Sequence, residues 1–463
     1  MSMDVDVVVV GAGGCGLTAA IAAAEASASV ALLEKLDRAG GNTFVSTGSI
    51  PAAGTRYQRA AGIDDDPDRM TADLLRQSGP HDAEPLVRLL AEQSASLVEW
   101  LVEKHRVDLR IITDYRHVGH SVPRLHAPPD RRGESLMWDL LAAARRLDVE
   151  VVTGNPVTEL IVEDGRVCGV RVGGHRADSY ELRSSTVVLA ANGFGRNAEL
   201  LRRFAPDIAG GNYLGAEGST GEALTWCLEL GADTGNMGAY QGYAAVAYPH
   251  GSITSWTTVE MGGILLDPRG RRIGDESVGY SGFTGSVAAR GDQGFVVFDT
   301  RVRDYVAAHE PEFVELVKMK GVLEADSPAA VARFIGADEA EVTVALRSYE
   351  EAARQGRPDD VGRSEFGMAP LTPPYCVVRA IPALFHTQGG VRVTDSAQVL
   401  RTDGTPVPGL YAGGGVTTGL SGAHGAAGYS SGNGLLSAIG LGRIAGRAAA
   451  TTATTRGTTP SHA

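Results

Sequence analysis

The most constraining feature of this chain lies at its start. Val7 to Val10 is a continuous apolar run, which suits a parallel strand buried on both faces. It runs directly into Gly11-Ala12-Gly13-Gly14-Cys15-Gly16, then an alanine-rich stretch from Leu17 to Ala26, then a second apolar run, Val30 to Leu33, closed by Glu34. This is Gly-x-Gly-x-x-Gly in a strand–turn–helix–strand setting. Gly11 permits the tight turn, Gly13 lets the backbone reach a pyrophosphate at the helix N-terminus, and Gly16 lets helix and strand pack closely. A carboxylate about 20 residues on accepts a ribose hydroxyl and disfavours a 2′-phosphate. The expectation is a dinucleotide, FAD or NAD rather than NADP. A second glycine- and hydroxyl-rich loop follows at Gly40-Gly41-Asn42-Thr43 and Ser46-Thr47-Gly48-Ser49, which suits a long, extended cofactor.

Composition removes several other classes. The 463 residues are 43% hydrophobic and 21% charged, too apolar for a disordered chain. A net charge of -13 argues against a general nucleic-acid binder. Cys15, Cys168, Cys227 and Cys376 have neither disulfide-framework nor zinc-site spacing, and the loosely spaced His117, His120 and His126 do not suggest a metal site. No Gly-Lys-Ser/Thr, Gly-x-Ser-x-Gly or His-Glu-x-x-His pattern occurs. The N-terminus lacks the basic region of a secretory signal, and no apolar run reaches the roughly 20 residues of a spanning helix, so a soluble cytoplasmic protein is expected. The 60 glycines lack a collagen period and require close backbone approaches instead.

Periodicity predicts helices within 64–105 and over Glu134–Leu147, and strands at Val149–Val152, Val157–Val162, Val167–Val172 and Val187–Ala190, with Asp164-Gly165 as a tight turn. Gly218-Ser219-Thr220-Gly221-Glu222 opens a helix to Leu230. From about 236 the pattern is irregular and aromatic; 301–357 is helical and charged, and reads as part of an inserted domain. Strands and glycine loops return after Pro373-Pro374, and a helix over Leu435–Ala450 closes the chain.

Val10 to Gly16, Glu34 to Ser49, Ala190 to Gly195, Gly218 to Glu222, His386 to Gly390 and Gly409 to Asn433 together resemble the fumarate reductase and succinate dehydrogenase flavoprotein family, which includes the 3-ketosteroid dehydrogenases. The resemblance implies an α/β, Rossmann-like FAD-binding domain, a parallel sheet with helices on both faces, interrupted by an α+β capping domain. The corresponding division is 1–235 and 369–463 for the FAD-binding domain and 236–368 for the cap. It further implies that Gly11, Gly13, Gly14, Gly16, Glu34 and Lys35 hold the ADP half of FAD. Gly40, Gly41, Asn42, Thr43, Thr47 and Gly48 would follow the pyrophosphate and flavin. Val157 would touch the adenine side, Ala190 and Gly193 would pack near the ADP half, Gly414 and Gly415 would lie by the ribityl chain, and Ser431, Asn433 and Leu435 near the flavin, where a helix N-terminus favours negative charge. Two departures stand out. Gly415 occupies the position of the family's usual acidic residue, and no histidine lies in the Thr43–Ser46 loop that carries covalent FAD in complex II, so the FAD is expected to be non-covalent.

The family's two substrate-side arginines align with Tyr429 and, counting four on from Glu276, Tyr280. A tyrosine cannot supply the bidentate fork that arginine offers a carboxylate. Tyrosines at such positions resemble the ketosteroid dehydrogenases, where one polarises a ketone and a phenolate of lowered pKa takes a proton while the flavin accepts a hydride. Tyr429, Tyr280, His386 (opening His-Thr-Gln-Gly-Gly) and His424 are the candidate catalytic residues; Tyr115 and Tyr240 have weaker claims. The expected function is an FAD-dependent oxidoreductase desaturating, or reducing, a carbon–carbon bond α,β to a carbonyl of a cyclic ketone or ketosteroid-like substrate. The alternatives are a fumarate reductase-like enoate reductase, or a flavin-binding redox subunit without a substrate of its own. With no haem or iron–sulfur motif, electrons would pass to a separate acceptor or oxygen.

Overall fold

A computed structural model describes residues 3–113, 116–174 and 177–457. The first sheet runs in the order Gln398–Leu400, Pro406–Ala412, Ala177–Leu189, Met3–Val10, Val30–Leu33, Val151–Val152. Its pairings from Pro406–Ala412 to Val151–Val152 are parallel. The edge strand Gln398–Leu400 and the hairpin Val157–Glu163/Arg166–Gly174 pair antiparallel, so the sheet is mixed rather than purely parallel. The unbroken valine run has a direct explanation. Val7 and Val9 pack beneath helices Gly14–Glu25 and Gly133–Arg145, whereas Val8 and Val10 face the opposite layer with Leu224 and Cys227 of helix Glu222–Glu229. A strand covered on both faces needs no polar alternation.

The C-terminal helix, Asn433–Gly457, returns to this domain and packs along the first helix. The approach is closer than side chains allow: a Cβ on Gly446 would stand 2.0 Å from the Ala19 carbonyl oxygen, and one on Gly442 2.4 Å from that of Cys15. The two helix starts, near Gly14 and Asn433, thereby reach the same region.

The second sheet centres on Tyr375–Thr387, flanked by Gly294–Asp299 and Gly238–Ala247, with Ile264–Leu266 beyond the former. Helices Thr300–His309 and Pro311–Lys318 cover one face; Pro328–Ile335 and Glu339–Gln355 cover the other. Tyr375–Thr387 follows residue 369 yet is hydrogen-bonded within this sheet, so by strand pairing the chain rejoins the first sheet only at Gln398–Leu400. Gly238–Ala247 lies where the sequence pattern is irregular. Its glycines and alanines are poor strand formers, and burial on both sides erases alternation, so pairing to Tyr375–Thr387 decides its conformation. No helix among the described residues is long and apolar enough to cross a membrane.

Candidate active site and cofactor cleft

The glycine turn is built as its chemistry requires. Gly11 has φ 102 and donates its N–H to the Leu33 carbonyl at 2.7 Å. A Cβ on Gly16 would fall 1.7 Å from the Gly11 carbonyl oxygen, so strand end and helix start touch through backbone alone. Glu34, at the end of the second strand, accepts from Ala12 N and Leu36 N, both at 2.9 Å, and so anchors the turn while lining the cleft. At Gly13 a Cβ would meet only Gly40 O at 3.6 Å and Gly41 Cα at 3.9 Å, both ordinary contacts; the space in front of this helix start is open.

That space belongs to a cavity of about 740 Å³ running from Glu34 and Val157 past both helix starts to the second sheet. The lining includes Gly11, Gly13, Gly14, Lys35, Gly41, Asn42, Thr43, Thr47, Ala190, Gly414, Gly415, Ser431 and Leu435. Lys35 is tied by its ammonium group to Glu222 at 2.7 Å and Thr220 at 2.6 Å. Thr43 Oγ1 accepts from Gly14 N at 3.2 Å, and Asn42 accepts from Ala216 N, which joins the second loop to the walls. Gly16, Gly40, Gly48, Gly193 and Asn433 are set back from the lining. Gly48 and Gly193 abut Pro128 and Thr387 respectively, where a Cβ would collide.

The residues present fit FAD on structural grounds. Two helix starts open into one elongated cavity. At the second, the side-chain amide of Asn433 and the hydroxyl of Ser437 are buried with no protein partner, which points to a polar occupant. Gly415 also has a structural reason. A Cβ there would lie 2.3 Å from Asn192 Oδ1, so Asn192 already fills the space an acidic side chain would enter. Asn192 lines the cleft with φ 65 and donates to Ser219 Oγ at 2.8 Å. The only sequence signal for it is an Asn at a strand end, before glycine.

Tyr429, Tyr280 and His386 converge at the far end of the cavity, although they come from three separate segments. The Tyr429 ring centroid is 6.1 Å from that of Tyr280 and 5.9 Å from that of His386, and the Tyr280 hydroxyl is 3.3 Å from Ser431 Oγ. His386 is delivered by the end of Tyr375–Thr387, in register with Gln241. Tyr243, Trp256 and Phe385, unmarked by any motif, complete the wall with Gln388 of the His386–Gly390 motif; Tyr243 stacks on Tyr280 at 5.1 Å and on Phe385 at 5.4 Å. The phenolate of lowered pKa expected from the sequence is not found. Burial pushes the Tyr280 hydroxyl up to about 12 and Tyr429 well above the usual phenol range, and the neighbouring Tyr280 raises Tyr429 further. Burial lowers His386 to about 4, so its imidazole is neutral at pH 7. These groups are hydrogen-bond donors and acceptors without charge.

Other candidates lie elsewhere. His424 is exposed, pairs beside Gly238 and does not line the cavity. Tyr240 is buried with its hydroxyl donating to Asp207 at 2.8 Å. Tyr115 lies outside the described residues.

Behind the tyrosine end, the fully buried Arg124 makes a two-point contact with Asp65, both bonds 2.7 Å, and a third with Asp73 at 2.5 Å. Burial opposes the Asp73 charge, but hydrogen bonds from Ser121 and Arg124 outweigh it and hold the carboxyl well below its usual range. Arg124→Met is expected to destabilise the fold by about 3–5 kcal/mol at neutral pH, read as a lower melting temperature, because buried Asp65 loses its two-point guanidinium partner and Asp73 keeps only the solvent-facing Arg76. The wild-type contribution from Asp73 is present above the unfolded carboxylate pKa and fades as pH falls below it. Protonation relieves the buried Asp73 carboxyl that has lost Arg124, so the melting gap narrows on acidification; a gap constant from about pH 7 to pH 4 contradicts this.

Residues 6–434 match the family model described as FAD binding domain. Over 426 residues the chain is 30% identical to the NADH:fumarate oxidoreductase of Klebsiella pneumoniae, covering 91% of this chain and 45% of that protein; the chain thus spans under half of that relative. Among solved structures, an open-conformation flavocytochrome c3 fumarate reductase superposes with TM-score 0.81 at 28% identity, covering 98% of this chain and 79% of the other. The 3-ketosteroid-Δ4-(5α)-dehydrogenase of Rhodococcus jostii superposes with TM-score 0.78 at 27% identity, covering 96% and 97%. With the turn, the cleft and these matches in hand, the chain belongs to the family of FAD binding domains shared by the fumarate reductase flavoproteins, and it is an FAD-dependent oxidoreductase.

Proposed function

We propose that this protein reduces a carbon–carbon double bond conjugated to a carboxyl carbonyl, a reaction of the fumarate reductase type. The observation that carries the reading is the uncharged donor cluster of Tyr429, Tyr280 and His386 at the start of the C-terminal helix, where both phenols remain protonated. A protonated phenol in contact with substrate serves reduction, which consumes a proton at carbon, better than desaturation, which must remove one. Similarity to proteins named for fumarate supports the same direction and favours the enoate over the cyclic ketone expected from the sequence. FAD, when bound, supplies the two-electron chemistry. Tyr429 donates the proton, Tyr280 and Ser431 hydrogen-bond beside it, and neutral His386 orients the carbonyl. The aromatic wall of Tyr243, Trp256 and Phe385 limits water at that end. Of the cations lining the cavity, Lys35 is paired with Glu222 and Arg132 with Glu315, and Arg131 lies beside Arg132. Electrons come from a separate donor. This converging cluster also speaks against a redox subunit without a substrate.

One observation favours a second reading. Among the described residues no guanidinium hydrogen-bonds to or stacks on Tyr429 or Tyr280, and neutral donors suit a ketone oxygen; the ketosteroid dehydrogenase is matched along almost its whole length. Anaerobic assay separates the two. Unsaturated carboxylates, fumarate among them, are expected to oxidise reduced viologen dye. Inertness of every enoate, together with dye reduction by saturated cyclic ketones, overturns the first reading in favour of the second.

A further inference from the structure

We infer that His120 is a positioning residue for the start of the C-terminal helix, acting through the main-chain carbonyl of Ser431. His120 comes from the loop that precedes Arg124, remote in sequence from the helix it meets. Its Nε2 stands 2.9 Å from Ser431 O. A carbonyl only accepts, so Nε2 carries the proton and Nδ1 presents a lone pair. That Nδ1 is buried with no protein partner. Burial lowers the histidine to about 4, so the ring is neutral. A side chain kept solely for packing leaves no such orphan; an apolar residue fills the space at lower cost. What His120 supplies that an apolar residue cannot is the single N–H aimed at Ser431.

The neighbouring backbone clamps the same point. Ser431 N donates to Val118 O at 3.0 Å, so the peptide group before Ser431 and the one after it are both held by the His117–His120 turn. Gly119, with φ 83, passes so close that a Cβ would lie 2.2 Å from Ser430 Oγ. Ser431 in turn presents its hydroxyl 3.3 Å from Tyr280 OH and lines the cleft. The clamp therefore fixes the hydroxyl that meets Tyr280 and the angle at which the helix start enters the cavity. Beneath it, Asp73, itself held by Arg124, accepts from the Ser121 N–H and hydroxyl and stiffens the turn from below.

This inference rests on the proposed site but is tested separately from it. The FAD-loaded protein is compared as wild type, His120→Leu and His120→Gln, since a glutamine amide N–H can reach where Nε2 stands. The first readout is amide hydrogen exchange in the peptide covering 429–436. His120→Leu is expected to exchange at least about tenfold faster there, and His120→Gln to return toward wild type. The second readout is turnover of whichever acceptor the wild type accepts. His120→Leu is expected to lose about 30- to 100-fold in kcat with KM within about threefold, and His120→Gln to recover most of it. Wild-type exchange in His120→Leu overturns the inference, as does a kcat loss without an exchange change, or a glutamine variant as impaired as the leucine one. Wild type inert toward every substrate defeats the proposed function alone, because the exchange experiment still decides the role of His120.

Discussion

Gly16→Ala is expected to abolish FAD binding, giving a colourless protein without absorbance near 450 nm, and to lower the melting temperature of the FAD-free form. The added methyl would begin 1.7 Å from the Gly11 carbonyl oxygen, and that contact is backbone on both sides, so no rotamer relieves it. Overpacking a rigid contact costs about 1–3 kcal/mol or more, and here the displaced atoms are the turn itself. Gly13→Ala separates folding from binding. Its methyl meets Gly40 O at an ordinary 3.6 Å and projects into the cleft, so FAD affinity falls while the FAD-free melting temperature holds. A yellow Gly16→Ala protein with wild-type melting would contradict the proposed packing of the turn.

Tyr429→Phe is expected to reduce kcat by about 10²- to 10⁴-fold, the range for loss of a general acid, while FAD content and KM stay close to wild type. The ring is 5% exposed and touches Tyr280 and His386, so phenylalanine preserves the packing and removes only the hydroxyl. Stopped-flow reoxidation of reduced enzyme by substrate isolates the chemical step. If that step keeps its wild-type rate, Tyr429 is not the proton donor. Tyr280→Phe tests the companion hydroxyl, whose bond to Ser431 makes it the next largest expected loss.

The strand–turn–helix–strand unit at Val7–Glu34 was legible because its requirements are local. Backbone sterics at Gly11 and Gly16, and a carboxylate at the end of the next strand, act over a few residues. The helices within 301–357 were legible for the same reason, through periodicity. Gly238–Ala247 was not, since its partner strand lies more than 130 residues later and long-range pairing overrides weak propensity. His424 illustrates the converse: a motif placed it near the site, yet its side chain lies outside the cavity.

By itself, then, the sequence determined the dinucleotide turn and the α/β class, because each follows from local sterics and hydrophobic period. Only the tertiary structure decided which tyrosines meet, that Asn192 fills the space beside Gly415, and that Tyr429 and Tyr280 stay protonated while His386 stays neutral. The physical reason is that desolvation is a sum over atoms brought in from distant segments. A phenol's proton affinity is set by the cavity that encloses it, and that cavity exists only once strands 238–247 and 375–387 and the final helix start have closed around it.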